Sequence, residues 1–225
     1  MRGNQKNVRY IPLWSREMGY AIGLITTDGS LSIDGRHIIF TSKDLQLIET
    51  LKSCLRVDTR IRCKKSGFNS TASCSYIEFS NVRLYQFLMT LGLMPNKTKQ
   101  LGAIKVPDQY FFDFLRGHLD GDGYFYSFWD TRWRRSFMFY TNFLSASYRH
   151  IRWIRENIKR LLDIQGSLRK EKTVWQLRYA KRESSLLLRR MYRQKNIPCL
   201  LRKRQKIERA LSINGRVLEL VDRHG

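Results

Sequence analysis

The chain has 225 residues and a mass of 26.8 kDa, enough for one large domain or two small ones whose core needs no disulfides. Its 42 lysines and arginines against 19 aspartates and glutamates leave a net charge of +23, which favours a polyanionic partner, above all nucleic acid. The sequence has no run of eighteen apolar residues and no signal-peptide pattern, so it supports neither a membrane span nor secretion. We expect a soluble intracellular protein, in a bacterial or archaeal cytoplasm or in an organelle, without a membrane partner.

Apolar periodicity and turn residues predict the same order of elements twice. The first half has a helix ending near 27, strands at 30–33 and 37–41, a helix at 43–55, strands at 59–65 and 73–80, and a helix at 82–91. The second half has a helix ending near 121, strands at 124–129 and 136–142, a helix at 147–162, strands at 167–172 and 173–180, and a helix at 184–192. The sequence therefore predicts an α+β fold of two pseudo-symmetric αββαββα halves.

The predicted halves share a short connection. We expect an N-terminal lead at 1–14, a first half at 15–106, and a second half at 107–225 that ends in a basic C-terminal helix. Both halves carry a net positive charge, so the charge does not come from one disordered tail.

The first helix of each half carries the repeated motif, Gly-Leu-Ile-Thr-Thr-Asp-Gly at 23–29 and Gly-His-Leu-Asp-Gly-Asp-Gly at 117–123. Small residues recur at every fourth position, which places them on one helix face: Gly19 and Gly23 in the first helix, Gly117 and Gly121 in the second. Two such faces can approach more closely than the usual ~8–10 Å between helix axes. If they pack together, Asp28 and Asp122 lie side by side at the same end.

Two adjacent carboxylates at helix C-termini repel each other, and the helix dipoles add negative potential. A divalent cation such as Mg²⁺ or Mn²⁺ offsets that repulsion, and the last-turn carbonyls of Thr27 and Gly121 are available as further ligands to join Asp28 and Asp122. Because such ions activate water for phosphodiester hydrolysis, acidic helix ends in a basic protein indicate a nuclease.

The two segments resemble the motif of the LAGLIDADG homing endonucleases, in the two-motif form that acts as a monomer. The resemblance covers residues 15–211 and implies the homing endonuclease-like fold, with a curved antiparallel sheet in each half and packing through the two motif helices. It also implies that Asp28 and Asp122 bind the metal. The sequence departs from the family pattern at Thr26, Arg116 and His118. We interpret His118 as a satisfied interior histidine and Asp120 as a helix-end residue.

The family places one basic residue from each half near the scissile phosphates, where it stabilises developing charge or orders the attacking water. Segment matching assigns this catalytic role to Lys97 and Lys203, and plain phosphate contact is the alternative for both.

The predicted strands supply the DNA surface, because alternation places basic residues on one face of a strand. Basic and amide groups there can bind phosphates and read guanine or adenine. The alternative is an ordinary solvated strand face. The predicted DNA-binding residues are Arg60, Arg62, Lys64, Arg132, Arg134, Arg135, Lys170, Lys172, Gln176 and Arg178.

The resemblance predicts an intron-encoded endonuclease that cuts a long pseudo-palindromic double-stranded DNA site and leaves short 3′ overhangs. Two alternatives remain open. One is a maturase that binds intron RNA through the same basic surface. The other is a catalytically inactive DNA-binding regulator, which predicts the loss of one metal-binding acid, whereas both acids are present.

Overall fold

The computed structural model describes residues 12–66, 69–133 and 136–222. Across these ranges the chain forms seven α-helices and two four-stranded antiparallel sheets, none of the helices being long and apolar enough to cross a membrane. Two residues predicted to bind DNA, Arg134 and Arg135, lie outside the described residues, as does the side chain of Lys64.

The predicted α+β fold and its repeated order are confirmed. The first half consists of α1 (Arg16–Asp28), β1 (Gly29–Leu31), β2 (His37–Ser42), α2 (Leu45–Leu55), β3 (Arg62–Ser66), β4 (Asn69–Ser80) and α3 (Val82–Leu91). The second half consists of α4 (Asp108–Gly121), β5 (Tyr124–Trp129), β6 (Phe137–Ser145), α5 (Tyr148–Leu162), β7 (Ser167–Glu171), β8 (Val174–Tyr179), α6 (Lys181–Met191) and the additional helix α7 (Leu201–Asp222).

The two sheets have the same topology. Their strand orders are β1-β2-β4-β3 and β5-β6-β8-β7, with every neighbouring pair antiparallel. One face of each sheet is covered by helices. That helix-facing side carries fully buried apolar side chains: Ile38, Phe40 and Ile77 in the first sheet, and Phe139, Phe143 and Leu177 in the second. The residues that alternate with these along each strand face the other side of the sheet, which we call the outer face.

The starts of α1 and α4 lie together. Ser15 caps α1, because its hydroxyl oxygen accepts a hydrogen bond from the Met18 N–H at 3.1 Å. The indole of Trp14 stacks on the ring of Tyr110 in the first turn of α4, with ring centroids 5.7 Å apart and planes 8° from parallel. The two helices stay in contact from this point to their ends, where Gly121 meets Thr27 and Asp28.

The two helices cross at Gly23 and Gly117. A Cβ atom at Gly117 would lie 2.1 Å from the carbonyl oxygen of Tyr20, and one at Gly23 would lie 2.1 Å from the carbonyl oxygen of Phe114. Both distances are far inside van der Waals contact, so only glycine fits at either position. Gly19 and Gly121 extend the contact towards the two helix ends, with less space to spare at Gly121.

Replacing Gly117 tests this crossing. Gly117→Ala forces the helix backbones apart, and we expect it to lower the free energy of unfolding in urea by about 3 kcal/mol. Gly102→Ala is the matched control, because a Cβ there meets no atom within 4 Å, and should change the same quantity by less than about 0.5 kcal/mol. Equal effects of the two substitutions would mean that α1 and α4 do not cross at Gly117.

Candidate functional site

The two motif acids lie at the adjacent ends of α1 and α4. Asp28 is the last residue of α1, and Asp122 follows the last residue of α4 directly. The contact between the ends is close, because a Cβ atom on Gly121 would lie 2.7 Å from Oδ2 of Asp28. The Thr27 hydroxyl lies 3.1 Å from the same carboxylate oxygen. The glycine crossing thus brings together the acids that the sequence predicted to be neighbours.

The pKa values of both acids are raised. Burial, and next the negative charge of Asp122, raise the pKa of Asp28 to about 6, against the opposing effects of the Thr27 hydroxyl and of Lys203 and Lys97. Burial also raises the pKa of Asp122, while the two lysines lower it. The charge at this point of the surface is therefore incompletely compensated by the protein itself.

Lys97 and Lys203 lie at this site, one at the end of each motif helix, and both are more than nine-tenths buried. The Lys97 ammonium donates a hydrogen bond to the carbonyl oxygen of Gly29, which directly follows α1. The Lys203 ammonium donates to the carbonyl oxygens of Leu119, Asp120 and Gly123 at 2.6, 2.9 and 2.6 Å. Each lysine thus binds the negative end of one motif helix.

Burial lowers the pKa of each of these lysines to about 8, although the nearby carboxylates oppose the shift. Lys203 directs all three of its ammonium hydrogens to backbone oxygens, so in this arrangement none remains for a phosphate. The geometry favours an electrostatic and positioning role for Lys203 over plain phosphate contact.

The donor set suits a hard cation that keeps part of its water shell. Within the described ranges no group of three or more His, Cys, Asp or Glu side chains could hold a metal. What the site offers is the Asp28 and Asp122 carboxylates together with carbonyl oxygens at two helix ends, including those of Thr27 and Gly121. Mg²⁺ is typically bound by one or two carboxylates plus waters and substrate oxygens, so these residues fit Mg²⁺ or Mn²⁺ better than Zn²⁺.

A network of buried hydrogen bonds fixes the start of α7, the helix that carries Lys203. The Asp120 carboxylate accepts hydrogen bonds from the Tyr20 hydroxyl at 2.8 Å and from the Leu200 N–H at 2.7 Å, immediately before α7. Burial raises the pKa of Asp120 to about 6, against the lowering effect of these bonds and of Lys203 and Arg116. Asp120 therefore joins both motif helices to the start of α7.

Arg116 anchors the same segment further upstream. Its guanidinium is fully buried and donates hydrogen bonds to the carbonyl oxygens of Pro198 and Met191, at 2.8 and 2.7 Å, and to Asp113 at 2.6 Å. The charged side chain of Arg116, which departs from the family motif, is therefore bound by carbonyl oxygens at the end of α6 and in the loop before α7.

His118 is interior, as predicted, but it is not fully satisfied. Its ring stacks on that of His150, with centroids 5.3 Å apart, and its Nδ1 has no hydrogen-bond partner among the described atoms. Burial lowers the pKa of His118 well below its ordinary value and that of His150 to about 4, so both rings are neutral near pH 7. They line a cavity of about 250 Å³ beside Lys97 and Asp122.

The predicted DNA-binding residues of the first half divide between a strand and a loop. Arg62 lies on the outer face of the first sheet, opposite Tyr76, and its guanidinium is 3.5 Å from the Glu78 carboxylate. Lys64 pairs in register with Cys74, two residues further along the same strand. Arg60 precedes β3 and is exposed in the loop, so strand alternation does not place it on one face with Arg62.

In the second half the predicted phase of one strand is wrong. Lys170 pairs with Trp175 and lies over its ring on the helix-facing side, so it does not share a face with Gln176 and Arg178. Arg169 pairs with Gln176 and occupies the outer face instead. The lysine chosen for the outer face of β7 is therefore one residue away from the position that the observed register places there.

The remaining predicted DNA-binding residues lie in turns or on β8. Lys172 lies in the β7–β8 turn with φ +50°, and Arg132 lies in the β5–β6 turn, paired with Asp130. On β8, Arg178 is half-buried and donates to Asn142, and Gln176 is buried and donates to the Tyr124 hydroxyl. These partners hold both β8 side chains in fixed positions on the outer face.

Comparison with solved structures gives the class of fold. The chain is similar to the homing endonuclease I-WcaI bound to its DNA recognition sequence, with a TM-score of 0.64 and 12% identity over 92% of this chain and 95% of that one. It is also similar to I-DmoI in complex with DNA and Mn, with a TM-score of 0.51 and 14% identity over 81% and 98%. A third match is full-length DUF199/WhiA from Thermatoga maritima, with a TM-score of 0.56 and 15% identity over 95% and 68%.

The chain thus has the LAGLIDADG homing endonuclease fold that its two motifs predicted. No protein-family model matches the chain, and no curated protein matches it in sequence. DUF199/WhiA shares the fold through a region described as a LAGLIDADG domain, so the fold alone does not establish DNA cleavage.

The raised pKa of Asp28 predicts a pH-dependent stability in the metal-free protein. Between its ordinary value of 3.8 and about 6, the folded state holds more protons than the unfolded state, so stability falls as pH rises through this window. In EDTA, the free energy of unfolding of the wild type should fall relative to that of the Asp28→Asn variant from pH 4 to 6.5. A difference that stays constant over that window would contradict the assigned environment of Asp28.

The Asp120 network predicts a second effect on stability. Asp120→Ala leaves the Tyr20 hydroxyl and the Leu200 N–H buried without their acceptor, and should lower the free energy of unfolding by about 2–3 kcal/mol. Amide exchange should also become faster before α7. Glu156→Ala, which removes an exposed ion pair with Arg152, should cost less than about 0.5 kcal/mol. If Asp120→Ala costs no more than this control, the network does not anchor α7.

Proposed function

We propose that the protein is a site-specific endonuclease that hydrolyses phosphodiester bonds in double-stranded DNA with Mg²⁺ or Mn²⁺. The observation that carries the proposal is the pairing of Asp28 with Asp122 at the closely packed ends of α1 and α4, each end held by its own buried lysine. A binding protein has no need of two adjacent carboxylates whose negative charge the protein compensates only in part. Such a pair is instead suited to hold a cation against a phosphate.

Each residue of the site has a distinct role in this proposal. Asp28 and Asp122, with the carbonyl oxygens at their helix ends, hold the metal, which when bound would lower the pKa of a water and neutralise the leaving oxygen. Lys97 and Lys203 offset the negative helix ends and add positive potential next to the scissile phosphates. The net charge of +23 attracts the duplex, and each motif helix leads directly into the first strand of one sheet, so that both sheets begin next to the site.

The expected substrate follows from the repeated topology. Two sheets of the same strand order, one in each half, favour a long pseudo-palindromic site read by a single chain. Cuts in both strands at the centre of such a site would leave short 3′ overhangs, as the resemblance implies. The insertion point of an intron that carries this reading frame is the expected target.

A DNA-binding protein without cleavage is the second candidate, because the fold also occurs in DUF199/WhiA, which is not described as a nuclease. The two candidates differ in what the acids do. In a regulator neither carboxylate is required. In the endonuclease both are.

Cleavage of the DNA that flanks this reading frame, joined without the insertion, tests the proposal. With Mg²⁺ the wild type should cut this duplex, while Asp28→Asn and Asp122→Asn should bind it with affinity within about threefold of wild type and cut at least about 1000-fold more slowly. EDTA should abolish cutting and preserve binding.

The matched control is Asp163→Asn, an exposed acid in a left-handed turn that asparagine adopts readily, and it should cut at the wild-type rate. Binding without cutting by the wild type would support the second candidate. Wild-type cutting rates in either active-site variant would overturn the metal assignment.

A further inference from the structure

A row of stacked aromatic rings covers part of the outer face of the second sheet. Tyr124, Tyr126 and Phe128 alternate along β5, and Tyr140 of β6 lies opposite Tyr126 in the register. The centroid of the Tyr126 ring is 6.0 Å from that of Tyr124, 6.2 Å from that of Phe128 and 5.2 Å from that of Tyr140, with planes within 21° of parallel. We call these four residues the aromatic row.

The aromatic row is not part of the hydrophobic core. The intervening side chains of the same strands, among them Phe137, Phe139 and Phe143, fill the helix-facing side. Phe128 remains 43% exposed, although a folded chain gains nothing from presenting a phenylalanine to water. With the partly exposed rings of Tyr124, Tyr126 and Tyr140 it forms a contiguous aromatic surface, and contiguous exposed apolar surface bordered by polar groups marks a binding surface.

The aromatic row lies next to the candidate cleavage site. Tyr124 follows Asp122 by two residues, and β5 then runs away from the acids. At about 3.3 Å per strand residue, Tyr124 to Phe128 span about 13 Å, which corresponds to about four base pairs of duplex DNA. The guanidinium of Arg178 lies over the Tyr140 ring, 5.3 Å from its centroid, and borders the row with positive charge.

The outer face of the first sheet differs in chemistry. Paired positions there carry mostly hydroxyl and charged side chains, with Thr41 opposite Tyr76 and Arg62 on its other side. One aliphatic residue, Ile39, lies opposite Glu78. The two halves share a topology, but the surfaces that they present to a ligand are different.

The stacking geometry restricts what the aromatic row can bind. Because the rings stack on one another, their faces are largely covered, so unpaired bases have few free faces on which to stack. The deep, narrow major groove of double-stranded RNA does not admit such a row. The major groove of B-form DNA does, and its apolar group is the C5-methyl of thymine.

We infer that the aromatic row is a specificity determinant that recognises thymine methyl groups in the half-site bound by the second sheet, within about four base pairs of the cleavage point. This inference rests on the proposed function, since it needs a DNA duplex on the outer faces of the sheets. It also makes the two half-sites chemically unequal despite the pseudo-symmetry of the chain.

Selection from a pool of randomised duplexes, bound by the wild-type protein in EDTA, gives the first test. The enriched sites should contain thymines on one side of their centre, at positions within reach of the aromatic row. Replacing those thymines by deoxyuridine, which removes only the methyl groups, should weaken binding about fourfold per methyl, equivalent to about 0.8 kcal/mol each.

Substitutions in the aromatic row identify the contact. In Phe128→Ser, and in Tyr126→Ser as a second variant, the deoxyuridine penalty should shrink to less than about twofold, because the apolar partner of the methyl group is gone. Tyr76→Ser on the first sheet is the matched control and should retain the full penalty. Thermal melting of each variant verifies that the fold is kept.

The outcomes separate the inference from the proposed function. Enriched duplexes without thymine near the centre, or a deoxyuridine penalty that persists in both row variants, would overturn the inference and leave the proposed DNA binding intact. A pool from which no duplex is enriched would overturn both. Preferential binding of single-stranded RNA would also overturn both, and would favour the maturase alternative.

Discussion

The backbone contact between α1 and α4 at Gly23 and Gly117 is the constraint on which the site depends. A Cβ atom at either position would lie 2.1 Å from a carbonyl oxygen of the facing helix, so any larger residue separates the helices. Separation at the crossing also moves their ends apart, and the ends carry the two acids. The packing of the small residues therefore determines how close the two acids lie, and with it the electrostatics of the site.

The close packing of α1 against α4 concentrates negative charge at one point. Two carboxylates and the C-termini of two helices meet there, and the raised pKa of Asp28 reflects both its burial and its neighbour Asp122. The chain compensates in part with Lys97 and Lys203, which bind carbonyl oxygens at the helix ends rather than pairing with the acids. The carboxylates remain available to a cation, in a protein whose net charge of +23 favours a polyanionic partner.

Local patterns in the sequence were enough to predict much of this architecture. The repeated motif, the four-residue spacing of glycines and the alternation of apolar residues each act over a few positions, and they predicted the element order and the meeting of Asp28 with Asp122. They did not predict that Asp120 would bond to Leu200, or Arg116 to Pro198, since those partners are some eighty residues apart. Such contacts depend on the tertiary path of the chain.

The wrong assignment of Lys170 to the outer face has a different cause. Lys170 was assigned by its charge, whereas the register is set by Trp175 and Leu177, which pack against the helices. The aromatic row was visible as Tyr124, Tyr126 and Phe128 at every second position, but aromatic residues in a strand are usually taken as core. Only the buried Phe139 on the opposite side shows that the core is filled without them.

Anomalous X-ray diffraction from crystals of the protein bound to duplex DNA and soaked in Mn²⁺ tests the central claim most directly. The account predicts a manganese peak between the carboxylates of Asp28 and Asp122, within about 2.0–2.4 Å of an oxygen from each. Manganese bound elsewhere, or carboxylates too far apart to share an ion while α1 and α4 remain packed at Gly23 and Gly117, would contradict it.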